Sequence, residues 1–118
     1  MKAKRYFIAL VSLVVVACAL WIYGHLEAYC HFYPAIDTRF ALHYSEAAFS
    51  KIHTGMGDDE VRKLIGEPLS VATNQAGVQT LWFSADGKCR WGDFAWLGRS
   101  VSISNRVVVS VERMIYYD

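Results

Sequence analysis

Two cysteines, Cys30 and Cys89, lie outside the apolar N-terminus of this 118-residue chain, and their pairing is the first covalent chemistry its residues suggest. In an oxidising compartment an even pair of cysteines in a small domain points to a disulfide. Closing a loop of about 60 residues would stabilise the fold by roughly 4 kcal/mol in the chain-entropy model. Two unpaired thiols are the alternative. The third cysteine, Cys18, ends the stretch Val15-Val16-Ala17-Cys18, which has the form of a bacterial lipobox, so acylation of its sulfur is the chemistry open to it. As a small apolar residue inside a helix it needs no chemistry at all. His25, His31, His43 and His53 show no metal-ligand spacing such as H-E-x-x-H or C-x-x-C-H. Asp58-Asp59-Glu60 lacks the alternating oxygen ligands of a calcium loop and suits the first turn of a helix, where the dipole favours carboxylates. No serine stands in G-x-S-x-G or S-x-x-K. With no nucleophile set beside a base, the chain reads as non-enzymatic, with no catalytic residue, no cofactor and no metal.

The densest aromatic stretch is Trp91-Gly92-Asp93-Phe94-Ala95-Trp96-Leu97. As a loop it would present Trp91, Phe94 and Trp96 as a docking surface for a protein partner or the membrane interface; as a strand its rings simply pack. Charge narrows the partners further. Lys+Arg 12 against Asp+Glu 11 gives a net charge of +1, without the basic excess that grips nucleic acid. At 118 residues the chain has room for one compact domain. Its 54% hydrophobic and 19% charged residues are too apolar for an ordinary soluble domain of that size, so part of the chain is a membrane segment.

That segment is Tyr6 to Gly24, a run of 19 residues preceded by Lys2, Lys4 and Arg5. At about 1.5 Å per residue it spans roughly 28 Å, one hydrocarbon core. Three basic residues before the run, against His25, Glu27 and His31 after it, place the N-terminus in the cytoplasm and the rest of the chain in the periplasm. Three fates fit: an uncleaved signal anchor in the bacterial inner membrane, a lipoprotein acylated on Cys18, or a cleaved and soluble product. The apolar run continues past Cys18 through Ala19, Leu20, Trp21, Ile22 and Tyr23, whereas a lipidated cysteine leads into a polar tether. The anchor, residues 1–24, is therefore the leading reading.

Residues 25–44 mix aromatics with Pro34 without a clear period and read as a juxtamembrane connector. Ser45 suits an N-cap, and Ala48, Phe49 and Ile52 at helical spacing predict a short helix ending near His53. After the break at Thr54-Gly55 a second helix opens at Gly57, carries Val61, Leu64 and Ile65 on one face, and stops at Gly66 and Pro68. From Val71 the period becomes two. Gln79 to Ala85 runs into the turn dipeptide Asp86-Gly87, and Lys88 to Trp96 either returns as a strand or forms a long loop. Ser100 to Ser104 turns at Asn105-Arg106 into Val107 to Tyr117, with Val107, Val109, Val111 and Ile115 expected on the face the helices cover. The expected architecture is α+β: an anchor helix, then a domain over residues 45–118 in which two short helices pack on a three- to four-stranded antiparallel sheet.

The stretch Ile52 to Pro68, Ile-His-Thr-Gly-Met-Gly-Asp-Asp-Glu-Val-Arg-Lys-Leu-Ile-Gly-Glu-Pro, resembles the signature of the SmpA/OmlA family, the small BamE-like lipoproteins of outer-membrane assembly. The matching positions are Ile52, Gly55, Met56, Glu60, Val61, Ile65, Gly66 and Pro68. Leu81-Trp82-Phe83 looks like the family's first strand and Ser100 to Val111 like its closing hairpin. Each motif residue also has a physical role. Gly55 permits positive φ in a tight turn, Met56 can fill the space between helices and sheet, and Gly66 can supply a left-handed C-cap before Pro68. Glu60 follows Gly57 at capping-box spacing, but Gly57 stands where the family has Thr or Ser. The resemblance implies a protein-binding module in assembly or maintenance of the cell envelope. A lipoprotein acylated at Cys18, and a small periplasmic ligand carrier, enzyme or inhibitor, are the alternatives.

Overall fold

The computed structural model describes residues 1–25 and 28–117; Glu27 and the side chain of His25, both named above, lie outside the described part. The chain opens with α1, Lys2–His25, an unbroken helix of 24 residues. Its apolar side chains point all round, and none of the span Lys2–Tyr23 is buried. A helix without a polar stripe has no side suited to water, and this one is long and apolar enough to cross a bilayer. A signal sequence passes the same test.

The remaining elements are β1 (Thr38–Phe40), α2 (Glu46–Phe49), α3 (Asp58–Ile65), β2 (Ser70–Thr73), β3 (Gln79–Trp82), β4 (Ser84–Asp86), β5 (Trp96–Ser104) and β6 (Val107–Tyr116). Four strands form an antiparallel sheet in the order β2-β3-β5-β6, and β1 pairs with β4 in a separate two-stranded sheet. The class is α+β, as the sequence predicts. Phe49 and Ile52 from the α2 segment and Val61 and Ile65 from α3 close over Leu81, Val101, Ile103 and Val108 to make the core.

Ser45 caps α2, its hydroxyl accepting the Ala48 N–H at 3.1 Å. The helix is only one turn long, because Lys51 and Ile52 donate to the carbonyls of Ala48 and Phe49, i to i−3 bonds that tighten the chain and bring Ile52 into the core. Gly55 takes φ 94° and Gly66 takes φ 85°. With ψ −166°, Gly66 sits outside the left-handed helical region expected of a C-cap, in a conformation open in practice to glycine alone. The turn between the helices is stitched to the β5–β6 hairpin. Gly55 N–H donates to the Val108 carbonyl (2.9 Å), Val108 N–H to that of Met56 (2.8 Å), and Asp58 N–H to that of Arg106 (2.9 Å). Met56 packs half-buried against the core.

Two expectations need correcting. Val107, Val109 and Ile115 are exposed and the buried residue of β6 is Val108, while Val111 packs against the core as expected. A register shift between Ser102 and Ile103, paired with Ser110 and Val108, inserts Val109 as an extra residue and inverts the alternation. Of the two courses left open after Asp86-Gly87, the chain takes the long loop: β4 pairs with β1, and residues 87–95 do not return as a strand. β1 itself comes from the segment read as a connector, which also buries Cys30, Asp37, Thr38 and Ala41. The Asn105-Arg106 turn is as predicted, with both residues at positive φ (50° and 64°), the conformation of a type I′ hairpin.

A Cβ on Gly66 would lie 3.0 Å from the His43 Cβ, in addition to its positive φ, whereas a Cβ on Gly57 meets nothing within 4 Å. Gly66→Ala is therefore expected to lower unfolding stability by about 1–3 kcal/mol. Gly57→Ser, which gives α3 the cap it lacks, should raise it by a few tenths of a kcal/mol. Denaturant midpoints of the two variants check both signs.

Candidate functional site

The end of the domain next to α1 is built around Asp37, which is only 2% exposed. Its backbone carbonyl accepts the N–H groups of Gly87 (3.1 Å) and Lys88 (3.4 Å). Its carboxylate accepts the Cys89 N–H on Oδ1 (2.8 Å) and the Phe94 N–H on Oδ2 (3.1 Å). Thr38 Oγ1 accepts the Leu97 N–H at 2.9 Å, and Ala95 N–H donates to the Ala28 carbonyl at 3.1 Å. These acceptors take amides that a returning strand would have offered to a neighbour. They settle residues 87–95 as a loop.

The three aromatic residues singled out in that region divide. Phe94 is fully buried, its ring 5.6 Å from Tyr23 at the end of α1 and 5.3 Å from Trp91, which is 67% exposed. Trp96 belongs to a second group on the sheet face opposite the core. It stacks on Tyr116 at 4.7 Å, and Trp82 lies tilted against both rings at 6.4 and 6.2 Å. Gly98 makes room for this group, because a Cβ there would stand 2.1 Å from Tyr116 Cε2. With Ser84 and Asp86 the three rings line an open cleft of about 360 Å³. Asp86 Oδ1 is shielded from solvent. Aromatic faces in an open cleft suit a partner's basic or apolar side chain. A larger cleft of about 410 Å³ at the β5–β6 turn is lined by Asp58, Gln79, Asn105 and Arg106, but its carboxylate is already engaged by Arg62 at 2.9 Å.

On the helix side, Arg99 and Arg113 stand directly opposite each other on β5 and β6. Like charges in that position repel. Glu46, in the only turn of α2, resolves the conflict by accepting from Arg99 Nε at 3.3 Å and from Arg113 Nη1, and it also accepts the Tyr44 hydroxyl proton. Burial pushes the Glu46 carboxyl up, but the Tyr44 hydrogen bond and the two guanidiniums outweigh it and hold the group below its usual 4.5. The Tyr44 hydroxyl is pushed up, first by burial and then by its bond to Glu46.

Cys30 is buried, Cys89 half-buried and Cys18 exposed on α1, and all three are free thiols. Of the two readings of Cys30 and Cys89, a bridge or two unpaired thiols, the structure has the thiols unpaired. Among the described residues no group of three or more His, Cys, Asp and Glu is placed to hold a metal ion. Of the acidic run, Asp58 pairs with Arg62, and Asp59 and Glu60 stay exposed in the first turn of α3. Sequence reasoning missed Asp37, Asp86, Glu46 and Tyr116. Asp37 sits in an aperiodic segment, and nothing local marks it. No family model, curated protein or solved structure matches the chain.

Asp37→Asn keeps size and shape but turns one acceptor oxygen into a donor facing a loop N–H. It is expected to cost about 2 kcal/mol of stability and to speed hydrogen exchange at Cys89 and Phe94 ahead of the core amides, while Asp93→Asn, on the exposed part of the same loop, leaves both unchanged. Glu46 sets a pH dependence. Its folded pKa lies below its unfolded value, so its contribution is complete above about pH 4.5 and is lost as the pH falls through the lowered folded value. Chemical denaturation between pH 6 and 3 should therefore show a shallower acid loss in Glu46→Gln than in the wild type.

Proposed function

We propose that the chain is a non-enzymatic, membrane-anchored cell-envelope protein whose α+β domain binds another protein in envelope assembly or maintenance. The observation that carries the reading is α1, a membrane-length apolar helix with no buried face, joined to a domain that has a complete core of its own. Lys2, Lys4 and Arg5 at its start support a cytoplasmic N-terminus, with the domain in the periplasm and the bacterial inner membrane crossed once. The resemblance of Ile52 to Pro68 to the SmpA/OmlA signature supports the envelope role. The partner-binding part of the reading rests on the cleft between Trp82, Trp96 and Tyr116, which offers aromatic surface on the side of the sheet away from the helices.

Expression in a Gram-negative host, with intact mass and membrane fractionation of wild type and Cys18→Ala, tests the anchor. The expected result is a full-length mass in the inner-membrane fraction, unchanged by the substitution. Cleavage before Cys18 with added acyl chains, lost in the variant, would replace the anchor with a lipoprotein. In the same cells a photo-crosslinker at Ser70, on the rim of the cleft, should give a protein adduct that Gly98→Ala abolishes by displacing Tyr116. An adduct indifferent to Gly98→Ala would remove the cleft from the binding role.

A further inference from the structure

We propose that the loops 28–37 and 87–95 form a second membrane contact, in which Phe32, Tyr33 and Trp91 seat in the headgroup region of the bilayer that α1 crosses. The proposal rests on the anchor reading above and adds to it a lipid surface as the partner of these loops. Phe32 is fully exposed, Trp91 is 67% exposed and Tyr33 half-exposed, and all three are large apolar side chains. Asp37 holds the two loops together through the amides of residues 87, 88, 89 and 94, so their tips form one surface. Lys88 Nζ lies 5.9 Å from the centre of the Tyr33 ring, which joins the two tips directly.

What covers this surface follows from its position. Tyr23 ends the apolar run of α1, the point at which a spanning helix leaves the hydrocarbon core. From there two ring-to-ring steps, 5.6 Å from Tyr23 to Phe94 and 5.3 Å from Phe94 to Trp91, reach the exposed indole. Tyr23 also donates its hydroxyl proton to the Tyr29 carbonyl at 3.0 Å, which fixes the start of the first loop to the same turn of helix. The headgroup layer is roughly 5–8 Å deep on each side of a bilayer. Two such steps carry the Trp91 ring at most about 11 Å from Tyr23, so it lies no more than a few ångströms beyond that layer. Trp and Tyr favour it because their rings are amphipathic, and the exposed Lys88 and Arg90 on the second loop add attraction to anionic headgroups. Leu42, 90% exposed in the turn before α2, belongs to neither loop and serves as an internal control.

The test uses the full chain reconstituted in phosphatidylethanolamine/phosphatidylglycerol vesicles that contain a phospholipid with a diazirine at the top of its acyl chain, followed by photolysis and peptide mapping by mass spectrometry. The expected result is adduct formation on α1 and on the peptides carrying Phe32-Tyr33 and Trp91, several-fold above that on the peptide carrying Leu42. Labelling of α1 alone would overturn the second contact, leave the anchor standing and return the loops to a protein partner. Equal labelling at Leu42 would also overturn it, as contact without orientation. Absence of adducts on α1 would instead show that the anchor reading fails, and the inference with it.

Discussion

A carboxylate withdrawn from water is costly unless both of its oxygens find donors, and the chain gives Asp37 the amides of Cys89 and Phe94. Much of the domain's layout follows from that exchange. With those amides taken, residues 87–95 have no ladder to offer β4, and β4 pairs instead with β1, the strand that begins immediately after Asp37. Thr38 opens that strand and captures the Leu97 N–H with its hydroxyl, which sets where β5 begins. The loop is pulled inward at Phe94 and outward at Trp91. One buried group thus links the segment after the helix, a surface loop and the longest hairpin of the sheet.

The opposite side of the sheet edge is governed by a different balance. Arg99 and Arg113 face each other across β5 and β6, a pairing that would favour register slip if left alone. Glu46 bonds to both, and because α2 is a single turn, the position of that carboxylate largely defines where the helix lies. Arg113 also sits over the Phe49 ring, 5.1 Å from its centre, so the same cation that repels Arg99 adds to the packing of α2 against the core. The short helix contributes little propensity of its own. Its place is held by a cap at Ser45, by Phe49 in the core and by charge.

These two interactions mark the limit of what local sequence can reveal. The Ser45 cap, the glycine turn at Gly55, the end of α3 before Gly66-Pro68 and the Asn105-Arg106 hairpin are written in neighbouring residues, and the structure places each of them where the pattern predicts. Residues that act over long separations are not so written. Asp37 lies 52 and 57 positions from the amides it binds, and Glu46 lies 53 and 67 positions from its arginines. The alternation in β6 misleads for a related reason, since a bulge that inverts it depends on the partner strand and leaves no periodic trace. The aromatic run at 91–97 is visible as composition, but its division into an inward ring, an outward ring and a cleft wall requires the Asp37 bonds to be known first.

That division also constrains how the two proposed contacts can work together. Trp96 stands two residues beyond Phe94, so the cleft begins about 7 Å of extended chain from the ring that touches α1. On the anchored reading the cleft lies close above the bilayer, and its open side is reached most readily by a chain that itself emerges from, or lies along, the membrane. A partner segment with a basic side chain near its own membrane exit would find both an anionic headgroup surface and the aromatic faces of Trp82, Trp96 and Tyr116 in its path. Tethering at a fixed height raises the effective concentration of such a segment without any added contact area. A shallow cleft can then act with modest intrinsic affinity, and the contact of Tyr23 with Phe94, two residues before β5, is what would hold the domain at that height.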